Sequence, residues 1–131
     1  MFHVKVGGNK DVVCGIIYDK DGNILLGRRK EGMDNEGRWE FPGGKLEPGE
    51  SYYECLSREW KEELNLPITI EKYLITNIEV GFTCHFLVGK LIYDEVFDFE
   101  FNAHDQIGLF NPKEIGLLKL FENDRILLPL I

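Results

Sequence analysis

Residues 39–66 read WEFPGGKLEPGESYYECLSREWKEELNL, and the rest of the chain is organised around them. The stretch divides into a strand end, a glycine turn, a loop and one amphipathic helix. Ser51 followed by Glu54 is a capping box, which starts the helix at Tyr52. Asn65 tolerates the left-handed conformation and Pro67 cannot continue a helix, so the helix stops there. At about 3.6 residues per turn, Tyr53, Leu56, Trp60 and Leu64 gather on a stripe that should face a core. Glu59, Glu62 and Glu63 fall on a neighbouring stripe, off the apolar one.

Three carboxylates so close repel one another, and helix propensity gives no reason for them. Lys61 lies away from that stripe. Arg58, four residues from both Glu54 and Glu62, neutralises only part of the charge. The simplest missing counter-charge is a divalent cation, because hard cations such as Mg²⁺ take oxygen ligands and are held by a few carboxylates plus substrate phosphates. A charge run alone is normally a solvated helix face. The surrounding spacing argues otherwise.

That spacing, Gly44-x5-Glu50-x7-Arg58-Glu59-Trp60-x-Glu62-Glu63-x-Asn65-Leu66, resembles the Nudix box, G-x5-E-x7-R-E-U-x-E-E-x-G-U with U apolar. Two positions depart from it. Trp60 is bulkier than the usual aliphatic residue, a matter of packing, and Asn65 replaces a glycine while still accepting positive φ. The resemblance implies an α+β fold, a Nudix-type α/β/α sandwich in which helices flank a mixed β-sheet. It implies a single domain over residues 1–131 with the box at 44–66. It also implies hydrolysis of a nucleoside diphosphate linked to another group, with Mg²⁺ as cofactor and Mn²⁺ able to substitute. Carried over by position, Glu59, Glu62 and Glu63 become metal ligands together with the carbonyl of Gly43. Arg58 orients a glutamate, and Glu50 supports the loop or an outer metal. The proton acceptor for the attacking water is a box glutamate or a later residue: Glu62 is preferred, then Glu100, then His104.

Upstream, Asp11 to Tyr18 is an apolar run of strand length, Asp19 to Gly22 a turn, and Asn23 to Gly27 a second strand. This hairpin delivers Arg28, Arg29 and Lys30. Arg28 or Arg29 is expected to contact phosphate, as arginine's planar fork suits that role, with Lys45 a further candidate. Met1 to Lys10 is an ambiguous strand carrying Phe2, Val4 and Val6. Glu31 to Arg38 is a polar loop. Ile68–Glu79 and Phe82–Tyr93 have strand composition. Tyr73, Phe82 and Phe86 are expected in the core, with the alternative that one of them lines a pocket, and His85 is expected as a satisfied structural histidine. Asp94 to Asp105 reads as a loop or edge hairpin, placing Glu95, Asp98, Glu100 and His104 on a solvated surface. Leu109-Phe110 is a short strand, and Asn111-Pro112 starts a helix. Asn123-Asp124 suggests a second cap and a last amphipathic helix.

WEFPGGKLEPGES, preceded by Arg28-Arg29 and followed by a D-R-I-L-L segment, is similar to the MutT branch of the family. That branch converts (d)NTPs to (d)NMP and pyrophosphate, and a residue near the start of its last helix reads the base. Asn123 or Asp124 occupies that place, and 8-oxo-dGTP and CTP or dCTP both stay open as substrates. Two other readings stand beside this one. The first is a pyrophosphatase for ADP-ribose or a nucleotide sugar. The second is a non-catalytic nucleotide sensor, against which the intact Arg58, Glu59, Glu62 and Glu63 argue.

The 131 residues suffice for one domain with a real core. A net charge of −8 argues against a nucleic-acid polymer as partner. It does not exclude a small nucleotide if part of the acidity serves a metal. No apolar run reaches transmembrane length, and MFHVKVGGNK lacks a signal-peptide core, so no membrane partner is expected. Cys14, Cys55 and Cys84, odd in number and far apart, suit free thiols and a cytoplasmic setting. A monomer or a homodimer is expected.

Overall fold

A computed structural model describes residues 10–79, 81–93 and 104–131. The expected first strand around Phe2, Val4 and Val6 lies outside them, as do Glu95, Asp98 and Glu100. The elements run β1 (Lys10–Tyr18), β2 (Ile24–Arg29), β3 (Trp39–Glu40), β4 (Gly43–Lys45), α1 (Tyr52–Leu64), β5 (Ile68–Glu79), β6 (Phe82–Leu91), β7 (His104–Phe110) and α2 (Pro112–Ile115). A 3₁₀ helix follows over Glu122–Leu130.

Among the described residues the strands form one mixed sheet, ordered β3-β2-β1-β6-β5, with β4 added to β1 and β7 to β2. The parallel pair is β1 with β6, in register from Lys10↔Phe82 to Tyr18↔Lys90; the other pairings are antiparallel. Because successive strand residues point to opposite faces, each central strand feeds two layers. Val13 and Ile17 of β1, Leu25 of β2 and Leu87 of β6 pack with Leu56, Trp60 and Leu64 of α1. Cys14 and Ile16, Ile24 and Leu26, Cys84 and Phe86 pack on the other side with Ile115, Leu120 and Leu127. This is the expected α+β sandwich. It also explains why the residues after Asp11 in DVVCGIIY do not alternate apolar with polar: the strand is covered on both faces.

Helix α1 begins and ends as its sequence dictates. Ser51 Oγ accepts from the Glu54 amide while Glu54 Oε1 accepts from the Ser51 amide, each at 3.0 Å. Asn65 sits at φ 52°, its amide donating to the Lys61 and Trp60 carbonyls. One member of the expected stripe is displaced. Tyr53 is 46 % exposed and Cys55 is buried in its stead. In the first helical turn the sheet-side contact is made by Tyr52, whose ring lies against Tyr73 and His85. The Gly44–Lys45 backbone meanwhile covers Cys55.

Two further expectations are corrected. The strand read at Leu109-Phe110 begins at His104, and His104 is only 4 % exposed rather than on a solvated surface. Its backbone pairs with β2 opposite Arg29, and its ring fills the space above Gly27. The last helix is 3₁₀ and takes no side-chain cap from Asn123 or Asp124; Phe121 holds the cap position. The Asp124 carboxylate is buried instead and accepts from the Phe41 amide at 2.9 Å. α2 does start at Pro112, with Asn111 and Glu114 forming a capping box.

Candidate active site

The turn Pro42-Gly43-Gly44 brings strand β4 against both β1 and α1, and its glycines are dictated by that closeness. A Cβ on Gly43 would stand 1.8 Å from the Val13 carbonyl oxygen, and one on Gly44 2.2 Å from the Glu59 carboxyl carbon. Neither glycine has positive φ. Their role is absence of bulk, not backbone freedom. Trp60 fixes the helix to the same turn, its indole N–H donating to the Pro42 carbonyl at 2.9 Å. The bulky residue in the box therefore positions the turn as well as packing.

Arg58 is the hub of the acidic edge. Its Nε and Nη2 meet Glu50 at 2.6 and 3.0 Å, and its Nη1 meets Glu59 Oε1 at 2.9 Å and Glu62 Oε2 at 3.2 Å. Nη2 also donates to the Lys45 carbonyl at 3.1 Å, so one guanidinium ties helix to turn. These bonds hold the Glu50 carboxyl down to about 2 and raise Arg58 further above its already high value. Glu59 moves the other way. Burial raises its carboxyl, Arg58 opposes, and the neighbouring Glu63 and Glu62 add to the rise.

A cavity of about 350 Å³ opens beside this edge, lined by Gly43, Gly44, Lys45, Glu47, Glu59 and Glu63 together with Arg29, Glu40 and His104. Glu63 Oε2 is buried there without a hydrogen-bond partner. Glu62 does not line this cavity; it is exposed and turned to Arg58. Among the described residues no three His, Cys, Asp or Glu side chains already converge as a ligand set. The donors still fit a hard cation. A desolvated carboxylate in Glu59 and an unpartnered carboxylate oxygen in Glu63 face one cavity, beside the Gly43-Gly44 backbone, and such groups are costly unless a cation or proton joins them.

A second cavity, about 410 Å³, shares Arg29, Glu40 and Lys45 with the first and runs to the other face of the sheet. Phe82, Phe121, Asp124, Cys14 and Cys84 line it. Burial pushes the Asp124 carboxyl well above the usual carboxylate range, with the Phe41 amide opposing. The Cys14 thiol is also raised, first by its contact with the Cys84 thiol at 3.4 Å and then by burial.

The two arginines of β2 part company. Arg28 faces outward, Nε on Asp105 Oδ1 at 2.8 Å with its guanidinium over the Trp39 ring, and lines neither cavity. Arg29 lines both. Lys45 also lines both, and Asp124 the second only; Asn123 lines neither, though its carbonyl accepts from Asn77 at 3.4 Å. Sequence reading passed over Glu40, Glu47 and Phe121. Glu40 carried a signal, a lone acid between Trp39 and Phe41 in a strand, and Phe121 carried none. His85 is a satisfied structural residue, bonded to Asp11 at 2.9 Å and Tyr73 at 2.7 Å.

Comparison with known proteins agrees with this architecture. CTP pyrophosphohydrolase of Escherichia coli is 45 % identical over 67 residues, 51 % of this chain and 49 % of that protein. The 8-oxo-dGTP diphosphatase of Proteus vulgaris is 40 % identical over 58 residues, 44 % of this chain and 52 % of that one. These alignments span about half the length of the curated relatives. The solution structure of the E. coli ORF135 protein superposes with a TM-score of 0.72 at 31 % identity, covering 98 % of this chain and 91 % of that one. No helix among the described residues is long and apolar enough to cross a membrane. The model of the NUDIX domain, whose members generally use divalent metal ions, matches residues 8–130, and the chain belongs to the NUDIX family.

Proposed function

We propose that this single domain hydrolyses a nucleoside triphosphate to the monophosphate and pyrophosphate with Mg²⁺. The observation that carries the reading is that an acidic, glycine-lined cavity and an aromatic one share Arg29, Glu40 and Lys45 in their linings. One compartment suits a metal and phosphates, the other a base, and two cationic side chains line both. The names of the E. coli and Proteus relatives support the same class of substrate.

In this reading Glu59 and Glu63, with the Gly43 carbonyl, hold the cation, and Glu62 is the outermost member of the carboxylate group. The bound cation would polarise phosphoryl oxygens and lower the cost of an attacking hydroxide. Arg58 fixes Glu59 and Glu62 through its hydrogen bonds without itself entering the cavity. Glu62, exposed and bonded on one side only, is the preferred acceptor of the proton from water. Arg29 and Lys45 neutralise the phosphate chain. On the far side Asp124 reads the base between Phe82 and Phe121. Its burial favours the neutral acid, whose O–H donates while its other oxygen still accepts. That suits a base edge with an acceptor beside a donor, which both cytosine and an oxidised guanine offer.

The test is product analysis by anion-exchange chromatography. Purified protein and Mg²⁺ are incubated with (d)NTPs, 8-oxo-dGTP, ADP-ribose and nucleotide sugars. Monophosphate plus pyrophosphate from one or two triphosphates is the expected result. Turnover of ADP-ribose or a nucleotide sugar alone would replace this reading with the other pyrophosphatase, and tight nucleotide binding without turnover with a sensor.

A further inference from the structure

His104 is a polar ring in an almost closed position, and only one of its nitrogens is used. Nε2 lies 2.8 Å from Glu40 Oε2, while Nδ1 is buried with no partner. An apolar ring would fill the same space without an orphaned nitrogen, so burying the imidazole is a net cost unless its single bond matters. With Nδ1 unpartnered, the ring proton is assigned to Nε2, where it is donated to the Glu40 carboxylate. The space for the ring is made by Gly27, where a Cβ would stand 2.6 to 2.8 Å from three ring atoms.

The oxygen that His104 holds is also the one that meets Arg29, Nη1 to Glu40 Oε2 at 3.5 Å. On its other edge Arg29 Nε donates to the Asp34 carbonyl at 3.1 Å. The β2–β7 pairing shifts register between Arg28 and Arg29, which sets Arg29 opposite His104 while Arg28 turns out to Asp105. Such irregularities re-aim side chains. The result is a chain of three residues from three strands ending on an arginine that lines both cavities.

We propose that His104 is a positioning residue for polyphosphate binding: it fixes the Glu40 carboxylate, and Glu40 fixes Arg29, which lines both cavities. The proposal rests on the triphosphate reading above for its ligand class. His104 takes no proton from water in this scheme, since Nδ1 is closed off and Nε2 is committed to Glu40.

The experiment is a calorimetric titration of inorganic tripolyphosphate in magnesium buffer against wild type, H104F, H104Q, R29A and R29A/H104F. Phenylalanine keeps the ring volume beside Gly27 and removes the donor; glutamine restores an N–H. H104F should weaken binding about tenfold, the usual effect of losing a hydrogen bond to a charged group. H104Q should recover most of the loss, and in the R29A background H104F should cost less than about twofold, because the coupled partner is gone. With a hydrolysed triphosphate, H104F should raise KM while kcat stays within about threefold. Unchanged binding in H104F, an equal loss in the R29A background, or no tripolyphosphate binding by wild type would each overturn the proposal. So would a collapse of kcat at constant KM, which indicates proton transfer. Wild type that binds tripolyphosphate but hydrolyses no triphosphate sinks the functional reading, and the binding cycle still decides this one.

Discussion

A carboxylate oxygen closed off from water with no donor, as in Glu63, is a cost the fold accepts for a reason. If that reason is a bound cation, Glu63→Gln should lower turnover by about a hundredfold or more. Stability should hold or rise, since the amide has the same shape and no charge to bury. Steady-state kinetics and a melting curve check both halves; full activity in the variant would remove Glu63 from the metal site. Asp124 gives a second test through pH. Its folded carboxyl value is raised by burial. The stabilising contribution of the neutral acid is then complete below the unfolded value near about 4 and fades as pH climbs through the raised folded value. Wild type should therefore lose stability on the way from acid to alkaline pH relative to Asp124→Asn. Tm curves that stay parallel across that range would mean Asp124 ionises as freely in the fold as in the open chain.

Helix α1 was legible from cap to cap because its signals are local. Ser51, Glu54 and Asn65 act within one turn of themselves, and box spacing delivers Arg58 beside Glu59 and Glu62 without knowledge of the sheet. Coverage is not local. Tyr53 and Cys55 exchanged places because the Gly44–Lys45 backbone, not helical periodicity, decides which side of the first turns is closed. His104 was misread as surface for the same reason: the missing side chain that makes room for it belongs to Gly27, far away in the chain. The helix also carries its own predictions. Ser51→Ala should cost about 1 kcal/mol by loss of the cap, read as a drop in Tm with little change in kcat. The Glu50–Arg58 pair should leave a trace in acid. Glu50 is held down to about 2, so its stabilisation is present above the unfolded value near about 4.3 and is lost as pH falls toward 2. Wild type should lose stability across that window relative to Glu50→Gln. An identical acid slope in the two proteins would show that the pair contributes nothing to folding.

At the scale of the whole molecule, the excess of acidic groups and the two-faced sheet belong to one arrangement. The net charge is −8, and the cavity we assign to phosphates is lined by Glu40, Glu47, Glu59 and Glu63 beside the cationic Arg29 and Lys45. An anionic substrate enters such a place only with a cation, so protein, metal and nucleotide should bind as a linked set. Linkage makes this measurable without turnover. A ligand that binds only the folded state adds RT ln(1 + [L]/Kd), about 2.7 kcal/mol at a hundredfold excess over Kd. Mg²⁺ should therefore raise Tm in a concentration-dependent way, chelation should reverse the rise, and nucleotide should raise it further only with Mg²⁺ present. Glu59→Gln should flatten the response, because it removes a carboxylate that burial, and after it the neighbouring Glu63 and Glu62, make costly to ionise without a cation. Asp105→Asn, whose carboxylate answers Arg28 at the surface, should leave the response intact and serves as the control for net charge. A wild-type Tm indifferent to Mg²⁺ up to millimolar concentration, with and without nucleotide, would separate the acidic edge from metal binding altogether.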